Sequence, residues 1–193
     1  MKSDALPVRG LRDERLPHGA PFPDWPLPFS SFPIQLSVDV VEGGEVWHAF
    51  DTMIAGATQL APWVRANVPI RVQDLAAGRP FRDVVQELAT LLRDGDTIVA
   101  HNANFAPGMV LARTAHRLGY DSEELQRILR APRFCTMRCA YTRTALGRQP
   151  GLRQLCTHFE VELEGAHDAR ADSAALARCV AEAWRRGVLL YIS

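Results

Sequence analysis

The period of the apolar positions changes several times along the chain, and each change marks an element. From Pro33, "IQLSVDVV" is β-rich and alternates for part of its length. "EGGE" (Glu42 to Glu45) is a tight-turn signal, and "VWHAFDTMI" reads as a second strand, so a β-hairpin is predicted. "APWVRANVPIRVQDL" follows as a long connection with mixed signals. In "RPFRDVVQELATLLRDGD", Phe81, Val84, Val85, Leu88, Leu91 and Leu92 recur at helical spacing, with Gly95 placed to stop the helix. "TIVA" (Thr97 to Ala100) is a short buried-strand candidate. "PGMVLARTAHRLG" predicts a helix ended by Gly119, and "DSEELQRILR" another with Asp121 or Ser122 as N-cap. "RFCTMRCAYTRTAL" reads as a short strand leading into a helix, and "GLRQLCTHFEV" as a further helix. "HDARADSAALARCVAEAWRRG" is the last long helix, and "VLLYIS" is an apolar tail, either a strand or a helix-packing segment. A hairpin followed by helices alternating with single short strands predicts an α/β layered fold.

Residues 1–32 break this pattern. "LPHGAPFPDWPLPFSSFP" is Pro-rich and aperiodic, an irregular segment leaning to polyproline II. Phe22, Trp25, Phe29 and Phe32 give it apolar anchors, so it is expected to pack on a core formed by residues 33–193. A length of 193 residues suits one domain. With 47% hydrophobic and 23% charged residues the chain falls in the globular class rather than the disordered one. No apolar run approaches the roughly 20 residues that span a bilayer, and the first residues lack the apolar core of a signal peptide. A cytoplasmic location without membrane partners is the expectation.

The formal net charge is zero and the pI about 7.0, so no global positive field announces a polyanion partner. Nucleic-acid binding would need a local basic patch. Lys2 is the only lysine, and the arginines are distributed over the whole chain. Cys135, Cys139, Cys156 and Cys179 form no C-x-x-C pair and sit beside apolar residues, which predicts reduced, buried thiols.

Two clusters carry candidate chemistry. His101, Asn102, Ala103, Asn104, Phe105 and Ala106 lie at a strand-to-helix junction, where α/β sheets place binding sites. The plain alternative is a turn in which Asn102 or Asn104 caps the next helix. The second cluster is "AHDARADSAAL". His167 and Asp172, read on one helix, would loosely share a side, with Asp172 facing a metal and His167 a bound water. The alternative is an exposed helix start whose Asp168 and Asp172 complement the helix dipole.

Taken together and in this order, the clusters resemble the DnaQ-like, DEDDh-type 3′–5′ exonucleases, a family of ribonuclease-H-like fold. Its middle motif reads approximately A-H-N-A-x-F-D, and its last approximately H-x-A-x-x-D-x-x-x-L, met here by His167, Ala169, Asp172 and Leu176. The resemblance runs from about residue 10 to about residue 182. It implies a mixed sheet flanked by helices, and a 3′ end of single-stranded DNA or RNA as ligand. It also implies two Mg²⁺ or Mn²⁺ ions held by four carboxylates, with a histidine deprotonating the attacking water. By this likeness His167 is the base, Asp172 a metal ligand, and His101, Asn102 and Phe105 contact substrate.

The pattern is broken at three ligand positions. Aligning Leu16-Pro17 with the end of the first motif, near residues 10–17, places its two carboxylates on Gly10 and Arg12. The middle-motif carboxylate falls on Ala106. Asp13, Glu14, Asp24 and Asp39 lack motif support as substitutes, and a one-residue strand slip turns side chains to the other face. Arg12 could instead pair with Asp172 or a phosphate. The expectation is a catalytically impaired fold member that binds nucleic acid. The alternatives are an active metal-dependent 3′–5′ exonuclease and a non-catalytic module for a protein partner.

Overall fold

The hairpin sets the frame on which everything else is laid. In the computed structural model, which describes residues 33–57, 60, 62–68, 70–102, 108–165 and 167–188, strand β1 (Gln35–Glu42) runs antiparallel to β2 (Glu45–Met53). The reversal uses Gly43 and Gly44 at φ of 60° and 83°, the left-handed conformations that a two-residue hairpin turn demands. A bulge between Val38 and Asp39 shifts the register, so Val38 faces Phe50 while Asp39 faces His48.

The mixed-signal connection resolves into two short helices, α1 (Pro62–Asn67) and α2 (Val72–Ala76). Their apolar periods are too short to register as helical in sequence. Asp74 nonetheless marks the start of α2, because its carboxylate accepts the Arg71 amide at 2.8 Å. Helix α3 (Phe81–Leu91) buries Phe81, Val84, Val85 and Ala89, and Gly95 takes φ of 91° beyond its end. Strand β3 (Ile98–Ala100) follows, then α4 (Leu111–Arg117), α5 (Glu123–Arg130), β4 (Arg133–Cys135), α6 (Ala140–Leu146), α7 (Leu152–His158) and α8 (Ala169–Arg185). Between the two expected caps of α5, Ser122 is the one that accepts the Leu125 amide.

Strands β3 and β4 pair in parallel, and the described strands form two separate two-stranded sheets. The fold is thus mixed α/β with helices and small sheets, in the manner of a ribonuclease-H-like domain. The Pro-rich segment 1–32, with Gly10, Arg12, Asp13, Glu14 and Asp24, lies outside the described residues, as do Asn104, Phe105, Ala106 and residues 189–193 of the tail. Among the described residues no helix is long and apolar enough to cross a membrane.

Three apolar clusters hold these pieces. The largest joins Phe50 and Ile54 of the hairpin side to Phe81, Val84 and Val85 of α3, Leu111 of α4 and Ile128 of α5. A second joins Leu155, Cys156 and Phe159 to Ala175, Cys179 and Ala183 of α8. The thiols of Cys156 and Cys179 touch at 3.7 Å, and burial pushes both pKa values up, as expected of packing cysteines rather than ligands. Cys139 is buried too, whereas Cys135 is half-buried. A smaller cluster of Leu60, Ile70 and Leu75 packs under α1 and α2.

Helix α8 lies against β1 and β2, and polar contacts fix both ends of that seam. At its far end the Arg185 guanidinium donates to the Gly44 carbonyl at 3.0 Å. A Cβ on Gly44 would come within 2.6 Å of the Trp184 ring, so this turn glycine is required by packing as well as by φ. At its start, Asp168 Oδ1 accepts the amides of Arg170 and Ala171 at 3.0 and 3.1 Å. Gln35 of β1 donates to Asp168 Oδ2 at 3.3 Å and accepts the Ala169 amide at 3.2 Å. The Asp168 amide itself donates to the Gly165 carbonyl at 3.0 Å. All four amides that a helix leaves open at its N-terminus are thereby met.

Asp168→Ala is expected to cost about 1–2 kcal/mol and to lower the melting temperature by about 2–6 °C. A double-mutant cycle with Gln35→Ala, read by denaturant unfolding, should show a coupling of at least about 0.5 kcal/mol. Additive losses would mean that the two side chains do not hold the strand to the helix.

Candidate functional site

His101 at the C-terminal end of β3 and Asp172 at the N-terminal end of α8 lie within electrostatic reach of each other, and this junction gathers the motif residues that lie within the described structure. At the end of β3 the chain turns through Asn102, whose φ of 76° is left-handed and suits asparagine better than any other residue with a Cβ. His101, just before it, is half-buried. Its Nε2–H donates to the Pro150 carbonyl at 2.8 Å. With that tautomer fixed, Nδ1 is the acceptor for the Thr136 hydroxyl at 3.0 Å. Burial drives the imidazole pKa below its ordinary value, against the Pro150 bond and the charge of Asp172. The ring is a neutral clamp between β3, the turn after β4 and the loop before α7. Both nitrogens are engaged within the chain, so only its carbon edge and face remain for a ligand.

On the opposite side, His167 does not share a helix with Asp172. It precedes α8, exposed, at φ of 75°, because Asp168 takes the N-cap position between them. The His167 amide still points to the Asp172 carboxylate, at 3.4 Å. Asp172 is half-buried in the first turn of α8. Burial raises its pKa, as does the neighbouring charge of Asp168, while the His167 amide, His167 and His101 pull the other way. Asp172 therefore sits within electrostatic reach of His101, His167 and Asp168 together. Sequence spacing brings His167 and Asp172 close, but the junction with His101 comes only from the tertiary fold.

A pair of hard divalent cations needs several converging carboxylate oxygens. Among the described residues no group of three or more His, Cys, Asp or Glu side chains is placed to hold a metal. Asp172 is the motif carboxylate among the described residues. Its neighbour Asp168 has both oxygens engaged in capping α8 and in binding Gln35. Asp39, a possible substitute by composition, belongs to another network. The His48 ring bridges Asp39 and Asp51 at 3.1 and 3.0 Å, and Arg170 reaches Asp51 at 3.1 Å. The described carboxylates alone do not supply the donor set of a two-metal centre.

Residues absent from the sequence-level site turn out to organise it. Thr136 and Pro150 hold His101 from 35 and 49 positions away, and Gln35 holds Asp168 across 133. No local signal points to such partners, since none of them belongs to a motif.

The two titrating groups push stability in opposite directions with pH. His101 is harder to protonate folded than unfolded. Its contribution is therefore full above the unfolded pKa of about 6.5 and declines as the pH falls below it. In thermal melts between pH 8 and 4, His101→Gln should flatten that decline; an unchanged profile would refute the buried neutral ring. Asp172 is harder to ionise folded than unfolded, so its charge carries a penalty at neutral pH that vanishes on acidification. Asp172→Asn should accordingly raise the melting temperature by about 1–2 °C near pH 7, with the gain gone below about pH 4.

No curated protein matches the chain. The family model RNase_T, described as Exonuclease, matches residues 31–180, a span that takes in the hairpin, both motif clusters and most of α8. The chain belongs to the RNase_T exonuclease family, and its fold is that of a nuclease.

Proposed function

We propose that this chain binds nucleic acid through its exonuclease fold while two-metal hydrolysis is strongly impaired. The observation that carries the reading is the donor set. Asp172 keeps the family's position, but Gly10, Arg12 and Ala106 stand where the resemblance calls for carboxylates. The nearest described carboxylate, Asp168, is committed to helix capping. If each lost ligand is worth on the order of 2–4 kcal/mol at the transition state, three of them remove several powers of ten in rate. The preferred ligand is the 3′ end of a single-stranded DNA or RNA, the substrate class of the family, with Asn102 and Phe105 as contact residues.

One feature favours the alternative of an active Mg²⁺- or Mn²⁺-dependent 3′–5′ exonuclease. The His167 amide reaches the Asp172 carboxylate at the head of α8, which keeps the family's base and ligand positions next to each other along the backbone. A single assay decides. Single-stranded DNA and RNA carrying a 5′ label are incubated with excess protein and Mg²⁺ or Mn²⁺, beside an Asp172→Ala control. The expected result is no shortening above the control, with salt-dependent binding of both oligonucleotides. Stepwise shortening from the 3′ end that Asp172→Ala abolishes would establish the active enzyme. Neither shortening nor binding would leave a non-catalytic module for a protein partner.

A further inference from the structure

The arginines are spread over the chain, but the acids opposing them are not. Between Leu125 and Phe159 there are seven arginines and no aspartate or glutamate, in a chain whose 22 cationic and 22 acidic side chains cancel overall. Three of the seven are used by the fold. Arg127 reaches the Ala89 carbonyl and Asp94, Arg130 donates to the Gln126 carbonyl, and Arg133 is half-buried against the Leu129 carbonyl. The other four, Arg138, Arg143, Arg148 and Arg153, are exposed, and none makes an ion pair among the described residues.

These four sit on one continuous stretch: the turn after β4, α6, the loop that follows, and α7. Both ends of that stretch are tied to His101. Thr136, two residues before Arg138, bonds its Nδ1, and Pro150, between Arg148 and Arg153, accepts from its Nε2. The middle is braced by Thr142, beside Arg143, whose hydroxyl donates to the Thr136 carbonyl at 2.6 Å. Helices α6 and α7 touch each other. An arginine-bearing surface is therefore fixed directly beside the end of β3.

We infer that Arg138, Arg143, Arg148 and Arg153 form the surface that carries the phosphate backbone of a single-stranded nucleic acid past the candidate site, an inference resting on the nucleic-acid-binding reading. Charge complementarity selects the partner. Guanidinium groups without carboxylate partners match a run of phosphodiesters, each of which accepts two parallel hydrogen bonds. A neutral chain binds a polyanion only through such a local concentration of charge.

The test measures fluorescence anisotropy of a labelled single-stranded oligonucleotide across a salt series. It compares the wild type, the quadruple variant R138Q/R143Q/R148Q/R153Q, the pairs R138Q/R143Q and R148Q/R153Q, and a control pair, R65Q/R117Q, at exposed sites on α1 and α4. The expected wild-type affinity falls at least about tenfold in the quadruple variant, and the slope of log affinity against log salt drops by about 0.7 per arginine removed. Each site pair should give an intermediate loss and the control pair none, with circular-dichroism melts showing all variants folded. Wild-type binding that the quadruple variant and both pairs retain, with an unchanged slope, overturns the surface while leaving the functional reading in place. No wild-type binding at all overturns both. Polyglutamate that displaces the oligonucleotide at equal charge concentration, and binds the wild type but not the quadruple variant, would reassign the surface to acidic proteins.

Discussion

Helix α8 has four amides at its N-terminus that must be satisfied, and the way they are satisfied governs the rest of the site. The Asp168 side chain meets two of them with one carboxylate oxygen, Gln35 meets a third, and the Gly165 carbonyl accepts the fourth, that of Asp168 itself. In a partly buried seam between a hairpin and a helix, leaving such donors unpaired would cost part of the desolvation of each amide. The same bonds dock β1 on α8 and set where Asp172 stands. They also commit a carboxylate that lies beside Asp172 and would otherwise be available to a cation.

His101 plays the corresponding part on the other side of the junction. A residue at the end of a strand in an α/β fold is placed where ligands bind, yet this ring is held by two bonds to its own chain and kept neutral by burial. Those two bonds position the elements around the ring. It joins β3 to the turn after β4 and to the loop ahead of α7, so the segment bearing Arg138 to Arg153 is registered against the Asn102 turn. Sterically and electrostatically, the motif histidine is a hinge pin between two parts of the site.

Local chemistry made much of this fold legible in advance. The alternation around Val38 and Val40, the Gly43–Gly44 turn and the helical spacing of Phe81, Val84 and Val85 each specify an element from a short window, and each is present. Helices α1 and α2 were not legible, since five or six residues give less than two turns of period. The off-helix position of His167 was hidden for a related reason. Both Asp168 and His167 could begin a helix by composition, and only the amide count shows that Asp168 is the cap. The partners of His101 and Asp168 depend on tertiary approach and leave no trace in spacing. The arginine surface was hidden by averaging: a net charge of zero over the whole chain conceals a stretch with no acidic residue at all.

Arginine and a bound metal ion meet a phosphate in different ways, and the difference bears on what a site with few carboxylates can do. A divalent cation concentrates charge, orients the scissile group and lowers the pKa of a bound water. A guanidinium supplies charge and a planar pair of donors, but it has no open coordination position and keeps its proton at any physiological pH. Substituting one for the other therefore preserves recognition of the phosphodiester and loses activation of the nucleophile. On the proposed reading, Asp172 at the head of α8, a clamped histidine near it and four solvent-facing arginines on the adjoining segment are what would hold a strand. On that reading binding and hydrolysis would rest on separable sets of side chains, so the loss of one would not entail the loss of the other.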